Sequence, residues 1–149
     1  MQLVQLPVNI NFKQCKDMEK DHYIGVDISK RTIDIAIYVK SQAKKGTFPH
    51  ETFSNTEEGF KDMKKWLRKQ HVVLSKSLFC MEATGNYTYE LCLFLEQLGV
   101  AYSIQSPLHL KRSFGLTHGK NDKVDASRIA YYAYLHREDI KLSKLASDS

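Results

Sequence analysis

Several features that would assign a chain to a familiar class are missing here. No apolar run approaches the roughly 20 residues of a membrane-spanning helix, which excludes a helical membrane span. The N-terminus lacks the basic start, apolar centre and small-residue cleavage site of a secretion signal, so a cytoplasmic location is the expectation. Cys15, Cys80 and Cys92 are odd in number and show no close metal-ligand spacing. They read as small hydrophobic residues in a reducing compartment, not as a disulfide framework or a zinc site. Neither internal repeats nor low-complexity segments interrupt the 149 residues, a length that fits one domain with a real core. With 42% hydrophobic and 26% charged residues, the composition is that of a globular protein and not of a disordered one.

Negative charge is also locally absent. The net charge is +5, and no acidic residue occurs between Glu96 and Asp122. That interval carries Lys111, Arg112 and Lys120, with His109 and His118. A stretch of one sign can follow a phosphate backbone, or it can be a solvated basic face, and this interval alone leaves both open.

What is present is organised around Tyr23-Ile24-Gly25-Val26-Asp27-Ile28, an aliphatic run bounded by polar residues that reads as a buried strand. Asp27 is the anomaly in it, because burying a carboxylate costs several kcal/mol unless cations or donors compensate it. Before this strand, residues 1–21 form an arm. Val4, Leu6, Val8, Ile10 and Phe12 alternate as in an edge strand or a segment that pairs with a partner chain, and a charged linker follows.

After it, Ser29-Lys30-Arg31 makes a turn, and Thr32 to Val39 alternates, with Ile33, Ile35 and Ile37 on one face and Asp34 on the other. So short a connection demands an antiparallel hairpin. Lys40 to Gly46 reads as a basic loop and Thr47 to Phe53 as a third strand, placed at an edge by Pro49. Asn55 or Ser54 is expected to cap a helix with Glu57 and Glu58 in its first turn and Phe60, Met63, Trp66 and Leu67 as its apolar stripe. A fourth strand over Ser77–Met81 ends at Glu82. A helix from Tyr87 to Leu98 buries Leu91, Phe94, Leu95 and Leu98 and stops at Gly99. A fifth strand spans Val100–Gln105, a short helix opens at Pro107, and a last helix runs from Asp122 to His136. Three strands in hairpin succession followed by alternating helices and strands predict an α/β fold, a ribonuclease H-like mixed sheet of five strands flanked by helices.

Four carboxylates stand at telling places in this plan. Asp27 lies inside the first strand, and Glu82 lies at the C-terminal end of the fourth, where open α/β sheets place their ligands. Asp122 and Asp125 are three residues apart at the start of the last helix, so both can project from one face. If the first and fourth strands are parallel neighbours, the four can converge. Crowded oxygen-only donors suit Mg²⁺ or Mn²⁺, and two such ions can clamp a phosphodiester displacement. Taken singly, Asp122 could equally be an N-cap and Asp125 a charge favouring the helix dipole.

Three segments carry a family resemblance: Tyr23-Ile24-Gly25-Val26-Asp27-Ile28-Ser29-Lys30, Met81-Glu82-Ala83-Thr84-Gly85-Asn86-Tyr87 and Lys120-Asn121-Asp122-Lys123-Val124-Asp125-Ala126. Over residues 22–136 the chain resembles the RuvC-like DEDD transposases of bacterial insertion sequences, the family numbered one hundred and ten, which are related to the Piv-type DNA invertases. The resemblance implies that Asp27, Glu82, Asp122 and Asp125 are a catalytic, metal-binding tetrad. It implies a pair of Mg²⁺ or Mn²⁺ ions, DNA as substrate, a guide RNA and a homo-oligomer, with no membrane partner. Within the matched segments, Gly85 would free the turn beside the metals, while Thr84 and Tyr87 stand between site support and packing. Lys30, Lys111, Arg112, Lys120 and Lys123 are the candidate nucleic-acid contacts. Residues 22–149 would be the RuvC-like N-terminal domain, and the C-terminal domain that supplies a catalytic serine in full-length members has no counterpart here. Two other readings are an actin-like sugar kinase, which would need a second glycine-rich phosphate loop, and a non-catalytic RNA-binding or oligomerisation module.

Overall fold

A computed structural model describes residues 20–45, 48–115 and 124–145. Residues 1–19, and with them the expected edge strand of the arm, lie outside the described residues. Among the described residues there are five strands: β1 (His22–Ile28), β2 (Thr32–Ile37), β3 (His50–Ser54), β4 (Ser77–Glu82) and β5 (Ala101–Gln105). They form one sheet in the order β3-β2-β1-β4-β5. The β1–β2 and β2–β3 pairs are antiparallel, and β1–β4 and β4–β5 are parallel. This is the five-stranded mixed sheet expected from the sequence, with β3 at an edge.

Among the described residues four α-helices cover it: α1 (Glu57–Lys69), α2 (Tyr89–Gln97), α3 (Pro107–Ser113) and α4 (Ala126–Leu135). One face of the sheet, with Ile24, Val26, Ile33, Ile35, Phe79 and Met81, packs on Phe60, Met63 and Leu67 of α1 and on Leu91, Cys92 and Leu95 of α2. The other face, with Tyr23, Leu78 and Cys80, packs on Leu110 of α3 and on Ile129, Tyr132 and Ala133 of α4. The alternation of side chains along each strand thus feeds two separate helix layers. Burial pushes the Cys80 thiol up to about 12 and the Cys92 thiol up to about 11, which suits unreactive core residues.

The α4 layer sits in a trough. One cross-strand row on that face reads His50, Ala36, Gly25, Cys80 and Ser103. Its three central members have little or no side chain, and the helix backbone comes down on them. A Cβ built on Gly25 would lie 2.0 Å from the Ala126 carbonyl oxygen and 2.4 Å from the Ala130 nitrogen. Gly25 is therefore the residue that lets α4 reach the centre of the sheet.

Several local expectations are corrected. The helix after β3 is capped by Thr56, whose hydroxyl accepts from the Gly59 N–H, and not by Asn55 or Ser54. The helix expected from Tyr87 opens as a 3-10 turn over Gly85–Thr88, and only from Tyr89 is it α-helical. Its end is a Schellman motif: the Val100 N–H reaches the Leu95 carbonyl, and the Gly99 N–H, at φ +71°, reaches Glu96. That closure turns Leu98 outward to 38% exposure, while Cys92 takes a core place. Phe94 is half-buried against Phe60. The basic loop after β2 contains a 3-10 helix, Lys40–Lys45. The last helix begins at Ala126 and not at Asp122.

Candidate active site

The row next to the trough, toward the C-terminal ends of β1 and β4, is polar from edge to edge. Thr52 pairs with Asp34, Asp34 with Asp27, and Glu82 with Gln105. The parallel β1–β4 ladder runs to Val26 opposite Met81, so its next step brings Asp27 level with Glu82. Thr52, Asp34, Asp27, Glu82 and Gln105 thus lie at one level on five adjacent strands. All share the face of Gly25, where α4 packs, because each stands two residues from a member of the trough row. Neighbouring strands are about 4.8 Å apart, so three carboxylates occupy a width of about 10 Å. Asp27, Glu82 and Asp34 are each half-buried.

Asp125 borders the β2–β3 side of this row, where it lines a cavity together with Asp34 and Thr52. It is the N-cap of α4, and its Oδ1 accepts the Arg128 N–H at 2.9 Å. Val124 before it and Ile129 four positions after it are both buried in the same core cluster. This is the hydrophobic staple that fixes how a chain enters a helix. By residue type Asp122 is an alternative cap; the structure makes Asp125 the cap, since Asp125 directly precedes the first helical residue. Asp122 lies outside the described residues, as do Lys120, Lys123 and His118.

The loops around the row are tied together by Asn55. Its Nδ2 donates to the Ser29 carbonyl at 3.0 Å and to the Tyr87 carbonyl at 3.1 Å, joining the β1–β2 turn to the loop after Glu82. Gly85 in that loop has φ +64°, a conformation in which any side chain would be strained. The Thr84 hydroxyl is buried and has no hydrogen-bond partner among the described residues, whereas Tyr87 is 45% exposed.

Among the candidate phosphate contacts, Lys30 is exposed in the turn just past β1. Arg112 is exposed and Lys111 half-buried in the last turn of α3, a helix that starts two residues after Gln105. Tyr132 is 3% exposed, with its hydroxyl on Gln105 Oε1, and Tyr131 and Tyr134 are stacked on Tyr38.

Sequence reasoning missed Asp34 and Asn55. The signal for Asp34 was its place on the polar side of a strand antiparallel to β1. The signal for Asn55 was an amide just before a helix whose cap is the next residue.

The donor set fits a hard divalent cation in kind, since every acidic group along the row offers oxygen alone. Among the described residues no three His, Cys, Asp or Glu side chains stand close enough to hold an ion together. The row supplies adjacent carboxylates, and Asp125, with one oxygen on its cap bond, stands at the start of the helix packed over it.

A family model described as transposase, that of the DEDD transposases of the insertion-sequence family numbered one hundred and ten, matches residues 24–149. Two curated proteins are similar over 113 residues at 32% identity, the pilin gene-inverting proteins of Moraxella bovis and Moraxella lacunata. The match covers 74% of this chain and 33% of each of them, so the chain spans about a third of their length. Among solved structures, Thermus thermophilus RuvC superposes with a TM-score of 0.51 at 12% identity, covering 80% of this chain and 98% of that one. At that identity the likeness speaks for the fold alone.

Proposed function

The chain belongs to the DEDD transposases of the insertion-sequence family numbered one hundred and ten, and from that membership we propose that it is the metal-dependent catalytic domain of a DNA recombinase. The observation that carries this reading is the acidic row. Asp27 and Glu82 stand side by side at the ends of parallel strands, under a helix capped by a third acidic residue, Asp125. Such a row is an expensive arrangement for an inert domain, because like charges on neighbouring strands repel.

Asp27, Glu82, Asp122 and Asp125 would hold one or two Mg²⁺ or Mn²⁺ ions. When bound, two such ions stabilise the attacking and leaving oxygens of a phosphodiester displacement. The chain's own contribution is to hold the ligands in place. The Val124–Ile129 staple and the cap bond fix Asp125, and the sheet register fixes Asp27 against Glu82. The Asn55 clasp holds the loops on either side of them. Lys30, Lys111, Arg112, Lys120 and Lys123 would bind the phosphates of the DNA and of a guide RNA, in an assembly of several copies. The Pilin gene-inverting proteins are named for inverting a gene, and cutting and rejoining DNA strands at a recombination site is the corresponding reaction here.

The test is metal binding followed by thermal unfolding. Mn²⁺ or Mg²⁺ should raise Tm in a saturable way, as a ligand of the native state does. Asp27→Asn with Glu82→Gln should abolish the rise; an unchanged rise in that double variant removes the reading. Nucleic-acid binding should weaken steeply with salt, and charge reversal at Lys111 and Arg112 should weaken it further.

A further inference from the structure

We propose that Asp34 is a positioning residue of the same cation site, a fifth carboxylate that holds the outer, β3-facing side of the Asp27 end of the row. The proposal rests on the metal-dependent reading above and adds a residue that the DEDD pattern does not contain.

Three observations carry it. The first is register. The Tyr38 N–H reaches the Tyr23 carbonyl and the Ser29 N–H reaches the Thr32 carbonyl, each at 2.8 Å. Alternation along the hairpin then makes Asp27 and Asp34 a hydrogen-bonded pair, with Cα atoms about 5.5 Å apart and side chains on one face. The second is how Asp34 is held. The Thr52 hydroxyl donates to Asp34 Oδ1 at 2.6 Å from the next strand. A charge-assisted bond of that length pins one carboxylate oxygen and leaves the second to act elsewhere. The third is a shared space. Asp34, Thr52 and His50 line one side of a cavity of about 350 Å³ whose other side is Asp125, Ala126 and Ser127. Asp34 of the sheet and Asp125 of the helix cap therefore face the same cavity.

A carboxylate pair directly across two strands is destabilising by itself. Here it is held in one geometry by a dedicated donor, on the face that carries Asp27 and Glu82, and it lines the cavity that Asp125 also lines. A divalent cation beside Asp27 would draw on that charge. An ordered Asp34 oxygen is suited to accept a hydrogen bond from the cation's hydration water, the role that outer-shell carboxylates play around metal ligands.

The experiment is calorimetric titration of Mn²⁺ into the 149-residue chain, with wild type, Asp27→Asn, Asp34→Asn and Thr52→Val side by side, and the fold of each checked by thermal unfolding. We expect Asp27→Asn to abolish binding and Asp34→Asn to weaken it about tenfold or more. Thr52→Val keeps the β-branched shape that suits a strand and removes only the donor, and it should weaken binding by a smaller factor. Asp34→Glu should recover part of the affinity, which a purely structural aspartate would not do. Wild-type affinity in Asp34→Asn, with binding lost in Asp27→Asn, overturns the proposal and leaves the tetrad standing. Wild-type affinity in Asp27→Asn as well takes away both. If Asp34→Asn does not fold, unchanged Mn²⁺ affinity in Thr52→Val overturns the proposal.

Discussion

Replacing Gly25 by alanine should damage this domain out of proportion to one added methyl group. The new Cβ would lie 2.0 Å from the Ala126 carbonyl oxygen and 2.4 Å from the Ala130 nitrogen, against an ordinary contact that begins at 3.4 Å. Both neighbours are helix backbone, which cannot rotate aside as a side chain can. α4 would have to rise by about 1.4 Å at its first turn, and a close-packed interior resists such a shift. Over-packing of this kind costs about 2–3 kcal/mol, or a fall in Tm of about 5–10 °C for a domain of this size. The displacement has a second consequence, because the first turn of α4 carries Asp125 as its cap. Lifting the helix moves that carboxylate relative to the acidic row, so Mn²⁺ affinity should fall about tenfold in the fraction that stays folded. Urea unfolding and Mn²⁺ calorimetry on the same variant measure the two effects. Gly85→Ala is the control: it meets backbone strain at φ +64° but no steric obstacle, so it should cost about 1 kcal/mol and leave α4 in place. Gly25→Ala within 0.5 kcal/mol of wild type, with Mn²⁺ binding intact, would refute the role given to the trough.

Three further outcomes are expected. Asp125→Asn should keep the helix cap and lose the charge, leaving stability near wild type and weakening Mn²⁺ binding; Asp125→Ala should lose both and about 1 kcal/mol of stability. Equal Mn²⁺ affinity in wild type and Asp125→Asn would reduce Asp125 to a cap. Asn55→Ala removes the donors to the Ser29 and Tyr87 carbonyls and should cost about 1–2 kcal/mol, with faster amide exchange in the Gly85–Thr88 turn, read by hydrogen-exchange mass spectrometry. Glu96 accepts the Tyr102 hydroxyl and the Leu145 N–H, which together hold its carboxyl below the usual glutamate range. A depressed pKa stabilises the fold above the ordinary value and is lost as pH falls through the folded value. The stability gap between wild type and Glu96→Gln should therefore close on acidification below about pH 4 in urea titrations, and a gap that widens would contradict the assignment.

The parts of this fold that were legible in the sequence are those that composition decides locally. Short apolar runs such as Ser77–Met81, bounded by polar residues, read as strands by their length, and a carboxylate within or just after such a run announces itself. The alternation of Ile33, Ile35 and Ile37 put Asp34 on the opposite face, but its level against Asp27 depends on the exact length of the hairpin turn. That length is a property of the Ser29–Thr32 hydrogen bonds, which no periodicity reveals. By type Asp122 and Asp125 are equally good caps, so the sequence alone does not fix the start of the last helix. The burial of Val124, a tertiary fact, decides in favour of Asp125. Asn55 lost the cap to Thr56 and took a bridging task that needs two loops distant in sequence to be close in space.

The most direct test is a crystal of this chain soaked in Mn²⁺ and measured at a wavelength where manganese scatters anomalously. The acidic row predicts an anomalous peak at the C-terminal ends of β1 and β4, within about 2.5 Å of carboxylate oxygens of Asp27 and Glu82. A fully soaked crystal with no peak there, or with its only peak remote from both residues, would contradict the claim that this row is a cation site.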